Sequence, residues 1–107
     1  MMKMIIAIVN KEDSRKAQAA LNVKGFTSTK LATTGGFLMT SNVTLLIGTE
    51  EERVDEALAI IEKNCKKRNQ VVPGSLHNSS VYGEYPVSVA VGGATVFVVP
   101  IDRFERL

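Results

Sequence analysis

Hydrophobic patterns along this chain follow one another in the order strand, helix, strand, strand, helix, strand. Residues 3–9 are almost continuously apolar and β-branched, as expected of a strand covered on at least one face. Apolar residues at helical spacing then predict a first helix over residues 14–24, with Asp13 or Ser14 as its N-cap and Gly25 as its stop. The first element pair is therefore a strand followed by a helix.

Two further strand patterns flank a pair of glycines. Residues 26–32 alternate between polar and apolar side chains, and residues 42–48 form a short apolar run. Gly35 and Gly36 lie between them and are typical of a tight turn, because glycine adopts positive φ values at little cost. We therefore predict that the second and third strands form a hairpin.

The second helix has the clearest periodicity in the chain. Thr49 and Glu52 have the spacing of a capping box, in which each side chain accepts a hydrogen bond from the other residue's backbone N–H. Acidic residues at the predicted start and basic residues at the predicted end both complement the helix dipole. The apolar stripe of this helix consists of Val54, Ala57, Leu58, Ile61 and Cys65.

The last third of the chain contains one long segment without periodicity. Residues 69–84 are interpreted as a long connection, of a kind that is uncommon in compact domains unless it is functional or mobile. After it, residues 87–91 alternate, Gly92 and Gly93 turn the chain, and residues 94–99 resume a strand. We expect these last two strands to pair as a second hairpin.

This order of elements predicts an α+β fold of the ferredoxin-like, or split βαβ, kind: a βαββαβ sandwich with an extra hairpin arm before the last strand. Such a fold places both helices on one face of an antiparallel sheet and leaves the other face open. Rows of apolar residues on that open face predict a closed homo-oligomer, in which a second copy covers them. With 107 residues the chain is expected to form one domain over residues 1–107.

The stretch 31–38 is also the best candidate binding element. It places two threonines beside two glycines, whose backbone N–H groups no Cβ atom covers, and Phe37 follows at once. Consecutive exposed N–H groups suit anionic oxygens, and an aromatic ring beside them can stack on a base. Nearby Asn42 matches the edge of adenine, but Asn is also a common turn former. The pattern alone leaves a phosphorylated purine site and a plain hairpin turn both open.

Other features argue against catalysis and against nucleic-acid or membrane partners. The formal net charge is +2, from 13 basic and 11 acidic residues, which is too balanced for binding DNA or RNA duplexes. His77 has no partner at metal-ligand spacing, and neither a phosphate-binding loop nor a dinucleotide motif is present. The single Cys65 predicts a reduced, cytoplasmic protein, and residues 1–9 are too short to span a membrane. We therefore expect no enzyme, no metal and no cofactor.

Four segments of the chain resemble the PII-like cyclic di-AMP receptor family, and the similarity covers nearly the whole sequence. The strings Thr-Lys-Leu-Ala-Thr-Thr-Gly-Gly-Phe-Leu at residues 29–38 and Val-Gly-Gly-Ala-Thr-Val-Phe-Val at residues 91–98 are the most specific. The opening residues 2–9 and Arg53-Val-Asp at residues 53–55 agree with them. The resemblance implies a homotrimer of ferredoxin-like protomers that acts as a signal receptor and has a mobile loop before its last strands.

The same resemblance implies that cyclic di-AMP binds in clefts between neighbouring subunits. We predict a site that includes Thr27 and Ser28 and the positions that match pocket-lining residues of relatives, with Gly93 supplied by the adjacent subunit. Those matching positions are Thr29, Gly36, Phe37, Leu38, Asn42 and Gly48. The chain has Gly25 and Thr27 where relatives commonly have Asn and Arg. Three alternatives remain at this point: another adenine nucleotide as the ligand, a structural scaffold without a ligand, and a nucleotide-processing enzyme.

Overall fold

The computed structural model describes residues 1–31, 42–73 and 86–107. The predicted hairpin turn around Gly35 and Gly36 and the larger part of the predicted long connection lie outside these residues. In chain order the elements are β1 (Met2–Asn10), α1 (Lys11–Val23), β2 (Ser28–Leu31), β3 (Asn42–Glu50), a 3₁₀ turn (Glu51–Arg53), α2 (Val54–Asn64), β4 (Arg68–Pro73), β5 (Pro86–Val91) and β6 (Ala94–Pro100).

Four of the strands form one antiparallel sheet in the order β2-β3-β1-β6. The predicted hairpin between β2 and β3 is confirmed by their pairing, in which Thr29 lies opposite Leu46. Helix α1 joins β1 to β2, and helix α2 follows β3, so the arrangement is compatible with the predicted ferredoxin-like fold. Strands β4 and β5 pair with each other in a separate two-stranded antiparallel sheet.

The hydrophobic core lies between the two helices and one face of the four-stranded sheet. Alternate residues of β1 and β3 are buried, because successive side chains of a strand point to opposite faces. Each large aliphatic side chain that is fully buried in this way contributes roughly 1.5–3 kcal/mol. The buried apolar residues are Ile5, Ala7, Val9, Ala17, Leu21, Phe26, Val43, Leu45, Ile47, Ala57, Ile61 and Cys65.

No helix among the described residues covers the opposite face of the sheet, which we call the outer face. The pairing registers place Leu46 of β3, Ile6 of β1 and Phe97 of β6 in one row across it. Phe97 is 53% exposed, and Val99, two residues further along β6, is 38% exposed. The expectation of two helices on one face and an open apolar face is therefore confirmed.

The predicted start of α1 is wrong by three residues. The helix begins at Lys11, and its N-cap is Asn10, whose Oδ1 accepts a 2.8 Å hydrogen bond from the backbone N–H of Glu12. Asp13 and Ser14, the predicted caps, lie inside the first turn and are buried. Because Asn10 is also the last residue of β1, strand and helix follow each other without a connecting loop. The helix ends at Val23, close to Gly25, which has φ +87° as expected of a stop.

The predicted capping box at the second helix is also wrong. Thr49 belongs to β3, is 7% exposed and pairs with Lys3 of β1, and no side chain caps the 3₁₀ turn or α2. The physical reason is that pairing with β1 carries the strand on through Glu50, which takes Thr49 away from the helix start. The apolar stripe itself is confirmed, since its five residues are buried or pack partly buried against the core.

Two predictions for the last third of the chain need correction. Residues 68–73 form strand β4, although the sequence predicts an aperiodic connection from residue 69 onward. Strand β5 pairs with β4, whereas β6 pairs with β1, so the predicted hairpin between the last two strands is wrong. The predicted turn between them is present, with φ values of +84° at Gly92 and +79° at Gly93. It carries the chain from one sheet to the other.

Candidate functional site

Part of the predicted site lies along β2 and β3 on the outer face. Thr29 lies opposite Leu46, and Gly48 is the next residue on the same face of β3. Thr27, Thr29 and Gly48 are all exposed. A Cβ atom placed on Gly48 would lie 3.9 Å from Cε of Met2, an ordinary contact, so space alone does not demand glycine there. This part of the sheet offers the hydroxyl groups of Thr27 and Thr29 near the exposed backbone of Gly48.

Ser28 is oriented differently from its two threonine neighbours. It lies opposite Ile47, on the face of the sheet that the helices cover. Its Oγ accepts a 2.9 Å hydrogen bond from Nε2 of Gln18, which ties β2 to α1. The hydroxyl of Ser28 therefore holds the sheet edge in position next to Thr27 and Thr29.

Asn42 lies far from Gly48, although both belong to β3. Asn42 is the first residue of the strand and is exposed, and it pairs with Asn10 at the end of β1. Six residues separate Asn42 from Gly48, which corresponds to about 20 Å along a strand. Asn42 and Gly48 therefore lie near opposite ends of β3.

Gly93 lies at the same end of the sheet as Asn42. It directly precedes Ala94, which pairs with Val9 of β1. Gly93 and Gly48 are therefore at opposite ends of the sheet, and β1 separates the strand of Gly48 from β6, which follows Gly93. A single protomer does not bring them together. The remaining predicted residues, Gly36, Phe37 and Leu38, lie outside the described residues.

An ion pair anchors the Gly92–Gly93 turn to the first helix. Nη1 and Nη2 of Arg68 each donate a 3.1 Å hydrogen bond to the Asp13 carboxylate, and Nη1 also donates to the Lys66 carbonyl oxygen at 3.1 Å. The hydrogen bonds to Asp13 raise the pKa of Arg68. The Asp13 side chain is only 4% exposed, and a buried bidentate pair of this kind fixes the position of Arg68 relative to α1.

Gly92 packs directly on this anchor. A Cβ atom added at Gly92 would overlap the Lys66 carbonyl oxygen and would lie 2.7 Å from Nη1 of Arg68. Only glycine permits both this approach and the positive φ angle. The position of Gly93, the next residue, therefore depends on Arg68 and Asp13.

We expect Arg68→Ala to destabilise the protein more than Arg103→Ala, as measured by chemical denaturation. Loss of Arg68 leaves a buried carboxylate without its partner, whereas Arg103 pairs with Glu105 at the surface, where ion pairs contribute little. The double variant Asp13→Asn/Arg68→Ala is expected to recover part of the free energy of unfolding that Arg68→Ala loses, because no unpaired carboxylate then remains buried. Equal stability of the two single variants would contradict this assignment.

A groove of about 1040 Å³ runs between α2 and β6 and ends at Gly93. Its floor is largely apolar, and charged side chains surround it. Lys66 and Lys67, which follow α2 after its C-cap Cys65, lie at the end where Gly93 is found. The lining residues are Asp55, Leu58, Ala59, Ile61, Glu62, Lys63, Cys65, Lys66, Lys67, Gly93, Ala94 and Val96.

Cys65 at this groove is buried and has the properties of a core residue. Burial raises the pKa of its thiol, and the nearby Asp13 carboxylate raises it further, so the neutral form dominates at neutral pH. Across the part of the chain that the structure describes, no cluster of three or more His, Cys, Asp or Glu side chains is arranged to hold a metal ion. No helix in that part is long and apolar enough to cross a membrane.

Sequence reasoning missed Asp13, Arg68, Lys66 and Lys67 as residues near the site. Asp13 and Arg68 are 55 positions apart, and local periodicity carries no information about such a contact. From the sequence, the two lysines are predicted only to complement the dipole of α2. Their proximity to Gly93 depends on the path of β4, which the sequence did not reveal.

Comparisons with known proteins agree with the resemblance noted in the sequence. A family model described as cyclic-di-AMP receptor matches residues 2–107. Among solved structures, the chain is similar to the crystal structure of a functionally unknown protein from Pediococcus pentosaceus ATCC 25745. The two sequences are 42% identical, the match covers 99% of this chain and 97% of the other, and the TM-score is 0.75.

Proposed function

The chain belongs to the cyclic-di-AMP receptor family, and from this we propose that it is a cytoplasmic, non-enzymatic receptor that binds cyclic di-AMP between the subunits of a PII-like homotrimer. The observation that carries the proposal is the family match over residues 2–107, which leaves almost no part of the chain outside it. In this proposal the predicted residues line the cleft except Ser28, which supports them from the helix-covered face. The β4–β5 pair is the extra arm that passes the signal to a protein partner.

The geometry of one protomer supports a site shared between subunits. Gly48 and Gly93 are at opposite ends of the four-stranded sheet, so one ligand contacts both only if they come from different copies. Thr29 and Gly48 lie on the open outer face, where a neighbouring copy has access, and Thr27 is exposed just before β2. We therefore assign Gly93 to one side of the cleft and the β2–β3 residues to the other.

Calorimetric titration with cyclic di-AMP, and with cyclic di-GMP and ATP in parallel, tests the ligand. We expect saturable heat with cyclic di-AMP and much weaker heat with the other two nucleotides. Tight binding of ATP without binding of cyclic di-AMP would indicate that the ligand is another adenine nucleotide. Absence of heat from all three, together with a melting temperature that no nucleotide changes, would favour a structural scaffold. Hydrolysis of cyclic di-AMP during long incubation would instead indicate an enzyme.

We expect Phe97→Asp to abolish the trimer, because it places a carboxylate in the apolar row of the outer face. Sedimentation velocity is expected to show the mass falling from three protomers to one, that is to 11.6 kDa. The matched control is Val23→Asp, because Val23 is 82% exposed at the end of α1, away from the outer face. An intact trimer in the Phe97 variant would refute the outer face as the interface.

A further inference from the structure

The predicted site has no charge of its own, although its proposed ligand carries two phosphate charges. All nine predicted residues are Thr, Ser, Gly, Phe, Leu or Asn. Hydroxyl and backbone N–H groups bind phosphate oxygens, but they do not neutralise them. A dianion held in a cleft is stabilised further when a cation lies close to it.

Cations on the β2 side of the site are not suitably placed. Lys30 follows Thr29 directly, but it lies opposite Leu45, on the helix-covered face of the sheet. Arg53, near Gly25, donates hydrogen bonds to Glu56 and to the Lys24 carbonyl oxygen. Its guanidinium also lies 4.1 Å from the centre of the Phe26 ring, which holds it further in place.

The Gly93 side of the site is different. A Cβ atom placed on Gly93 would lie 3.7 Å from the Cβ atom of Lys67, so the lysine stem begins directly beside the turn. Lys66 and Lys67 are exposed, and within the described ranges neither has a carboxylate within 4.0 Å. Both ammonium groups are therefore available to an anion that reaches Gly93.

The acidic residues of the same groove do not cancel these charges. Asp55 lies near the start of α2, about 14 Å along the helix axis from its end. Glu62 is one turn before Lys66 without forming an ion pair with it. The end of the groove at Gly93 is thus its most positive part.

We infer that Lys67, assisted by Lys66, supplies positive charge to the phosphates of the ligand from the subunit that contributes Gly93. This inference rests on the proposed function and adds a charged residue to the otherwise uncharged site. The Arg68–Asp13 anchor holds the Lys66–Arg68 segment and the Gly92–Gly93 turn together, so the lysine and the glycine approach the ligand as one unit.

Calorimetric titration of the unmodified protein and its variants with cyclic di-AMP at low and high salt tests the inference. Lys67→Ala is expected to weaken binding about fivefold at low salt, and Lys67→Glu about tenfold or more. Lys67→Arg keeps the charge and is expected to bind within about twofold of the unmodified protein. The matched control is Arg15→Ala, which removes one charge from an exposed position of α1. The difference between Lys67→Ala and the unmodified protein should shrink at high salt.

Co-expression of two different chains tests whether Lys67 acts on a ligand held by the neighbouring subunit. One chain carries Lys67→Glu and the other carries Phe37→Ala, so each chain retains the residue that the other lacks. If the two residues face each other across the cleft, mixed trimers contain some intact sites and bind more tightly than either pure variant. Failure of mixed trimers to recover affinity would overturn the assignment to the adjacent subunit.

The outcomes separate this inference from the proposal on which it rests. Absence of binding by the unmodified protein contradicts the proposed function, and the inference fails with it. Normal binding by the unmodified protein together with unchanged affinity and salt dependence in Lys67→Glu overturns the inference alone.

Discussion

Replacing Leu45 by Ala is expected to lower the free energy of unfolding by about 2 to 5 kcal/mol. Leu45 is 0% exposed on the helix-covered face of β3, where it belongs to the core. Its truncation removes buried apolar surface and leaves a cavity that the surrounding side chains fill only in part. Urea denaturation at low protein concentration, where assembly contributes least, measures the effect.

The neighbouring residue offers a matched control. Leu46→Ala is the same chemical change one position later, but Leu46 lies on the outer face and is partly exposed. We expect Leu46→Ala to change the free energy of unfolding of the isolated protomer little and to weaken the trimer instead. A weakened trimer would need a higher protein concentration to assemble. If Leu46→Ala and Leu45→Ala destabilise the protomer equally, the division of the sheet into a core face and an interface is wrong.

Phe37→Ala is expected to weaken the binding of cyclic di-AMP by about 1 to 3 kcal/mol, which is roughly 5- to 150-fold in the dissociation constant. The prediction rests on the sequence, in which Phe37 follows the glycine pair of the proposed phosphate-binding stretch. In the proposed site the ring of Phe37 is expected to stack on an adenine base, a contact that alanine cannot make. Calorimetric titration of the variant measures the loss.

Two further variants show whether stacking is the cause. Phe37→Tyr keeps the aromatic face and is expected to retain most of the affinity. Phe104→Ala removes an aromatic side chain that is 57% exposed near the end of the chain and is expected to leave binding unchanged. Unaltered affinity in Phe37→Ala would exclude a stacking role for this residue.

Much of the fold is predictable because it depends on local patterns. The apolar runs that form β1 and β3 and the apolar stripe of α2 are visible in the sequence, because each depends on residues close together in the chain. The predictions that the structure contradicts concern residues whose secondary structure depends on pairing with a distant segment. Thr49 pairs with Lys3 of β1 and so continues a strand, although its local sequence favours a helix cap.

In the candidate site, too, some features depend on neighbouring residues of the chain and others on distant ones. The glycine pair and Phe37 stand out in the sequence as a candidate nucleotide site, because they are adjacent in the chain. The ion pair between Asp13 and Arg68 spans 55 positions, and only the folded chain brings the two residues together.

By itself the sequence determined the types of most elements, the apolar stripe of α2, and the family to which the chain belongs. Only the tertiary structure decided that β5 pairs with β4, that Gly48 and Gly93 lie at opposite ends of the sheet, and that Lys67 lies beside Gly93. The physical reason is that periodicity reports which way a side chain faces within its own element. Which distant segment it meets depends on how the strands pair, and that is settled by packing over the whole chain.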